Sequence, residues 1–202
     1  VMILLFTSIF ATISIIEDRR EGFLQSVLVA PLPRWSLVLG KLLGGTLIAL
    51  VQGMVFLLLG LTVGLKFSLL GLTAIAIYSF VLAFALTAVG FLLAWRLDST
   101  QGFHAIMMVF LMPMWLLSGA AFPPDRSGSI GSASLAWLMR LNPLTYGVAG
   151  LRRLIYWDVP GAPLPADLPS MATSLVVTAA FAAVMFGLCL RIAAGRTTGD
   201  LL

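Results

Sequence analysis

Glu17, Glu21 and Gln25 recur at i, i+4 and i+8, which on a helix sets them along one face. Phe23 with Val27, and Leu24 with Leu28, form an apolar face beside it. Like charges one turn apart slightly destabilise an isolated helix, so an acidic stripe makes most sense against a basic partner surface. Arg20 can pair with Glu17, which leaves the stripe only partly neutralised. The chemistry offered is recognition by charge, not bond making. The competing reading is a solvated interfacial helix whose charges only mark topology, and helix physics weighs the two evenly.

The rest of the chain holds little that could react. No GxxxxGK[ST] motif is present, so the chain has no P-loop for a nucleotide. Cys189 is the only cysteine, which rules out an internal disulfide, and its apolar surroundings make it a small packing residue. His104 stands alone, without a second metal ligand nearby in sequence. Gln52, Thr46, Thr87 and Ser118 are the main polar groups inside apolar runs, and they read as helix–helix glue. Apart from Lys41 and His104 near their ends, these runs contain no Asp, Glu, Lys, Arg or His. Ion-coupled transporters keep such groups at membrane depth to relay the ion. No residue here could do so.

The elements that must position the charged segment are membrane helices. Of 202 residues, 60% are hydrophobic and 10% charged, where a soluble domain carries roughly 25% charged residues. The class is an all-α polytopic membrane protein, one transmembrane domain over 1–202. The net charge of +4 sits in loops and reads as topology charge, with no nucleic-acid footprint. Apolar runs cover Val1–Ile16, Ser36–Gly64, Leu69–Trp95, Phe103–Ala121 and Pro169–Leu190. Backbone polar groups in lipid must be satisfied within the segment, so the runs are helices. The first is short against the roughly 20 residues a span needs. With no basic n-region and no cleavage site, it reads as the tail of a truncated span.

Placing 17–35 with the adjoining Lys41, 96–101 and the C-terminal tail on one side gives seven Lys and Arg there against five opposite, which favours that side as cytosolic. Trp35 and Trp95 then anchor the inner interface, and Trp137, Tyr156 and Trp157 the outer one. Pro31 and Pro33 stop the charged helix, Arg34 anchors re-entry, and Lys41 snorkels to the same surface. Small residues recur every four positions: Gly45, Ala49 and Gly53; Gly40 and Gly44; Gly60 and Gly64; Ala179, Ala183 and Gly187. Such rows let helices approach closely, within one chain or between two. Pro113 interrupts the fourth run. After it, Ser134–Leu141 and the amphipathic LTYGVAGLRRLIYW stretch are each too short to span, with Asn142–Pro143 between them. Two short helices dipping into the outer leaflet fit this pattern.

EDRREGFLQSVLVAPLPRWSLVLGK, LSGAAFPP and NPLTYGVAGLRRL, in that order and spacing, resemble the ABC-2 family of ABC-transporter membrane subunits, closest to its drug- and nodulation-factor-exporter branch. The resemblance covers essentially the whole chain. It implies a type V exporter-like six-helix fold, here without its first helix, in a bacterial cytoplasmic membrane. It implies a homodimer of permeases, in contact with membrane lipids and paired with ATP-binding subunits. ATP and magnesium would sit on those partners; the chain itself would carry no cofactor, no metal and no catalytic residue. The family's coupling helix maps onto 17–30, with Glu17, Arg20, Glu21, Gly22, Phe23, Leu24 and Leu28 as its contact residues. Its outer re-entrant helices map onto 122–157, with Ser118, Gly119, Pro123, Asn142, Pro143 and Tyr146 at the gate. The cargo implied is amphipathic, lipid-like or glycan-linked, moved outward. A passive channel and a non-transporting scaffold are the rival readings, since neither needs an ion relay.

Overall fold

The structure is a computed structural model that describes residues 1–23, 33–64, 67–120, 130–157, 159, 164–165 and 168–195, with the side chains of 63 and 130–133 left aside. The expected residues Leu24, Gln25, Val27, Leu28, Pro31 and Pro123 lie outside the described set. Among the described residues the fold is helical, without strands. In chain order the helices are α1 (Met2–Phe10), α2 (Ile13–Arg20), α3 (Arg34–Leu58), α4 (Leu69–Arg96), α5 (Thr100–Leu116), α6 (Ile130–Leu141), α7 (Pro143–Ile155) and α8 (Met171–Ala194).

At the starts of α4, α5 and α8 a polar side chain caps the helix. Ser68 Oγ accepts from Gly71 N, Ser99 Oγ from Gly102 N, and Ser170 Oγ from Thr173 N, at 3.0, 3.0 and 3.1 Å. Each satisfies an amide that the first turn leaves without an intrahelical partner. Among the described residues, three helices are long and apolar enough to cross a membrane: α3 with its 3₁₀ extension, α4 and α8. The α3 extension closes on Gly64, whose φ of 87° is left-handed backbone that glycine tolerates.

Helix α4 is the spine. It packs against α1, α3, α7 and α8, and buries residues around its whole circumference, including Leu82, Leu86 and Phe91. Helices α1 and α2 follow one another directly, with a break at Ala11–Thr12, where Thr12 Oγ1 donates to Ile9 O at 2.6 Å. At the break this segment lies directly on α4: a Cβ on Gly90 would fall 3.0 Å from Ile9 Cα.

Several sequence expectations change here. Pro113 lies inside α5 and does not interrupt it. The helix stops at Leu116, past which Gly119 takes φ 74°. At 17 residues α5 is shorter than the fourth run implied. The Asn142–Pro143 break is where the sequence puts it. Asn142 Oδ1 accepts from Leu144 N at 3.0 Å and Pro143 opens α7, where its missing N–H costs nothing. The apolar face of α7 packs on α4 and α8, burying Leu144, Val148, Leu151 and Leu154.

The small-residue rows divide by function. Gly45 faces Thr87 and Ala11, and Gly53 faces Leu4, so that row closes the bundle internally. Gly40, Gly44 and Gly187 have open space above them.

Candidate functional site

Two polar regions stand at opposite ends of the bundle. The first is built on the charged segment. Helix α2 ends at Arg20, and Gly22 at φ 74° turns the chain. The acidic stripe therefore does not run along one continuous helix from Glu17, because the left-handed residue breaks its register. Arg20 turns away from Glu17: its Nε donates to Asp98 O at 3.2 Å. Arg19 reaches the same loop, donating to Trp95 O at 2.7 Å and pairing with Asp98 at 3.1 Å.

The guanidinium of Arg19 also lies 5.8 Å from the Trp95 ring centroid. Trp95 is 6% exposed and stacked on Phe91. It is covered by this arginine and does not anchor an interface. Lys41 likewise does not snorkel outward; it forms an ion pair with Asp18. Arg34 donates to Ala193 O at 2.9 Å, so α3 holds the end of α8. Arg19, Arg20, Arg34 and Lys41 are thus used within the chain, while Glu17, Glu21 and Phe23 remain exposed.

This division follows from the sequence. Arg19 and Arg20 occupy the last turn of α2, where cations meet the negative end of the helix dipole. Their length lets them span to a loop whose carbonyls are released at the end of α4. Glu17, two residues before Arg19, lies on the opposite side of the helix from it and is exposed to solvent.

The second region lies at the far end, where α5 ends and α8 begins. Ser118 Oγ donates to Trp115 O and accepts from Ala120 N. Asn142 Nδ2 donates to Met114 O at 2.6 Å, and Thr145 Oγ1 to Met139 O at 2.6 Å. Tyr146 Oη donates to Arg140 O at 3.0 Å. The structure therefore gathers Ser118, Gly119, Asn142, Pro143 and Tyr146 at one end. Ser118, Gly119 and Tyr146 line a cavity of about 510 Å³ between α6, α7 and the start of α8.

Sequence reasoning missed the group that locks this end. Tyr78 Oη reaches Tyr146 O and Thr178 Oγ1, both at 2.9 Å, from a buried position on α4. Gly150 lies against its ring with no room for a Cβ. A tyrosine inside a long apolar run, paired with a glycine in an amphipathic helix, is the only signal that could have pointed to it.

Of the polar residues inside the spans, Thr46 donates to Leu42 O and approaches Thr87 Oγ1 at 3.5 Å, which is the glue expected. Gln52 is exposed and accepts from Thr7 Oγ1 at 2.6 Å. His104 packs on Phe10, with ring centroids 5.5 Å apart, and its Nδ1 lies 2.7 Å from Thr100 O. Among the described residues, no three His, Cys, Asp or Glu are grouped to hold a metal.

The arrangement offers a charged contact surface at one end, a cavity at the other and a packed spine between them. No curated protein matches the chain. Residues 1–156 match the ABC-2 type transporter family, whose permeases generally pair with an ATP-binding subunit. That match spans well over half of the chain, so the protein belongs to the ABC-2 type transporter family and is a membrane permease component of an ABC transporter.

Proposed function

We propose that the chain is the permease subunit of an ATP-driven exporter in a bacterial cytoplasmic membrane. It moves an amphipathic, lipid-like or glycan-linked cargo outward, in the manner of the drug-exporter branch. The observation that carries this reading is the division of charge at the α2 end. Arg19 and Arg20 are anchored to the α4–α5 loop, whereas Glu17 and Glu21 are left exposed beside them. A partner that engages the acidic side chains would pull on a segment already tied to the spine. Movement at the contact is then delivered to α4 and α5.

In this scheme, ATP and magnesium sit on the partner, and closure of two ATP-binding subunits pushes on the segment 17–30. Two permease copies pair, and the α6–α7 helices at the far end gate release. Ser118, Gly119, Pro123, Asn142, Pro143 and Tyr146 belong to that gate.

The test is a double charge reversal, Glu17→Lys with Glu21→Lys, in the complete complex. Export should fall more than tenfold while basal ATP hydrolysis and membrane insertion persist, because a desolvated contact charge is worth roughly 2 kcal/mol or more. Export that is unchanged, or that proceeds without ATP, would sink the coupling assignment and favour a passive channel.

A further inference from the structure

The cavity at the α6–α7 end has a composition that gating alone does not use. Arg140, from the last turn of α6, and Arg152, from the last turn of α7, both line it. Neither guanidinium has a hydrogen bond or ion pair to a described residue. The neighbouring Arg153 behaves differently, donating to Pro169 O at 2.7 Å and Leu168 O at 2.9 Å, which ties the approach to α8 onto α7.

Among the described residues, no carboxylate lines the cavity, and Met139, Val148, Ala149 and Leu168 make its walls apolar. Ser118, Thr145, Tyr146 and Thr173 add hydroxyls. Two cations above an apolar slot make a complementary surface for a molecule that is anionic at one end and greasy at the other. Arginine binds phosphate by paired N–H donors, and its charge is less strongly hydrated than that of lysine. Basic pockets between membrane helices take acidic lipid headgroups for the same reason.

We propose that this cavity is a binding site for an anionic phospholipid, with its phosphate held between Arg140 and Arg152 and part of a tail along Met139 and Val148. The site requires only the cavity and its charges, so it stands or falls independently of the coupling reading.

The full-length protein is placed in bilayers of phosphatidylcholine with or without phosphatidylglycerol, and retained lipid is counted by native mass spectrometry. Wild type should keep phosphatidylglycerol selectively. Arg140→Gln with Arg152→Gln should lower that retention by roughly tenfold for each charge-assisted hydrogen bond removed. Ala136→Trp, which fills the cavity from a half-buried lining position and leaves both charges in place, should lower it as well. Both variants should unfold at the wild-type temperature in pure phosphatidylcholine, and added inorganic phosphate should not displace the lipid.

Unchanged retention in either variant overturns the proposal. So does displacement by inorganic phosphate, which would make this a simple anion site. Equal destabilisation of the arginine variant in both bilayers also overturns it, because the arginines would then serve only the fold.

Discussion

At the scale of single residues, Tyr78 and Gly150 depend on each other. The phenol fits between α4, α7 and α8 only because α7 presents bare backbone at Gly150. Gly150→Ala forces a methyl into the ring in a packed interior, and overpacking of this kind costs about 1–3 kcal/mol. Thermal unfolding in detergent should show that destabilisation, with α7 the first element to become accessible to labelling. Tyr78→Phe keeps the shape and removes the hydroxyl, leaving Thr178 and Tyr146 O without their partner. Its cost should be smaller, about 1 kcal/mol. The reverse order of the two would show that hydrogen bonding, not fit, holds α7 in place. Neither residue was legible beforehand, because their pairing depends on the crossing of helices far apart in sequence. The Asn142–Pro143 break was legible, because a capping side chain and a ring without an N–H act locally.

At the scale of elements, the α2 end and the α4–α5 loop form one unit. Of the interactions that hold Arg19, the ion pair and the carbonyl bond differ in magnitude. Asp98 is 91% exposed, so its ion pair contributes little, in the range of about 0–1 kcal/mol. The bond to Trp95 O is partly buried and charge-assisted, worth about 1.5–3 kcal/mol. Asp98→Asn should therefore leave transport near wild type, while Arg19→Gln should reduce transport severalfold with the ATP-binding partner still attached. Co-purification and vesicle transport measure the two quantities separately. If Asp98→Asn proves equally damaging, the loop acts through its charge and not through its carbonyls. The sequence marks this segment as special, yet it pairs Arg20 with Glu17 and lets Trp95 face the interface. Both expectations use near neighbours and an average rule for aromatic belts. The tertiary contact between residues nearly eighty positions apart decides otherwise.

At the scale of the whole molecule, the bundle was legible where physics is one-dimensional. The runs behind α3, α4 and α8 are long, apolar and bounded by Ser68, Arg96, Ser170 and similar polar stops, so they can form little other than membrane helices. The fourth run was harder to delimit because Pro113 is tolerated in α5, while the stop comes later, near Gly119. Exposed apolar residues include Leu47, Ile48, Val51 and Val55 on α3, Ile77 on α4, Val109 and Phe110 on α5, and Val176 and Val184 on α8. Helix α5 has a mechanical consequence for the surrounding bilayer. Its 17 residues rise only about 25 Å, against a hydrocarbon layer of roughly 30 Å. Where Val109 and Phe110 meet lipid, the bilayer would have to thin to match, a strain that a thicker membrane increases. Transport should then slow as acyl chains lengthen in reconstituted vesicles and quicken as they shorten. A rate indifferent to bilayer thickness would mean that another protein surface shields α5 from the hydrocarbon.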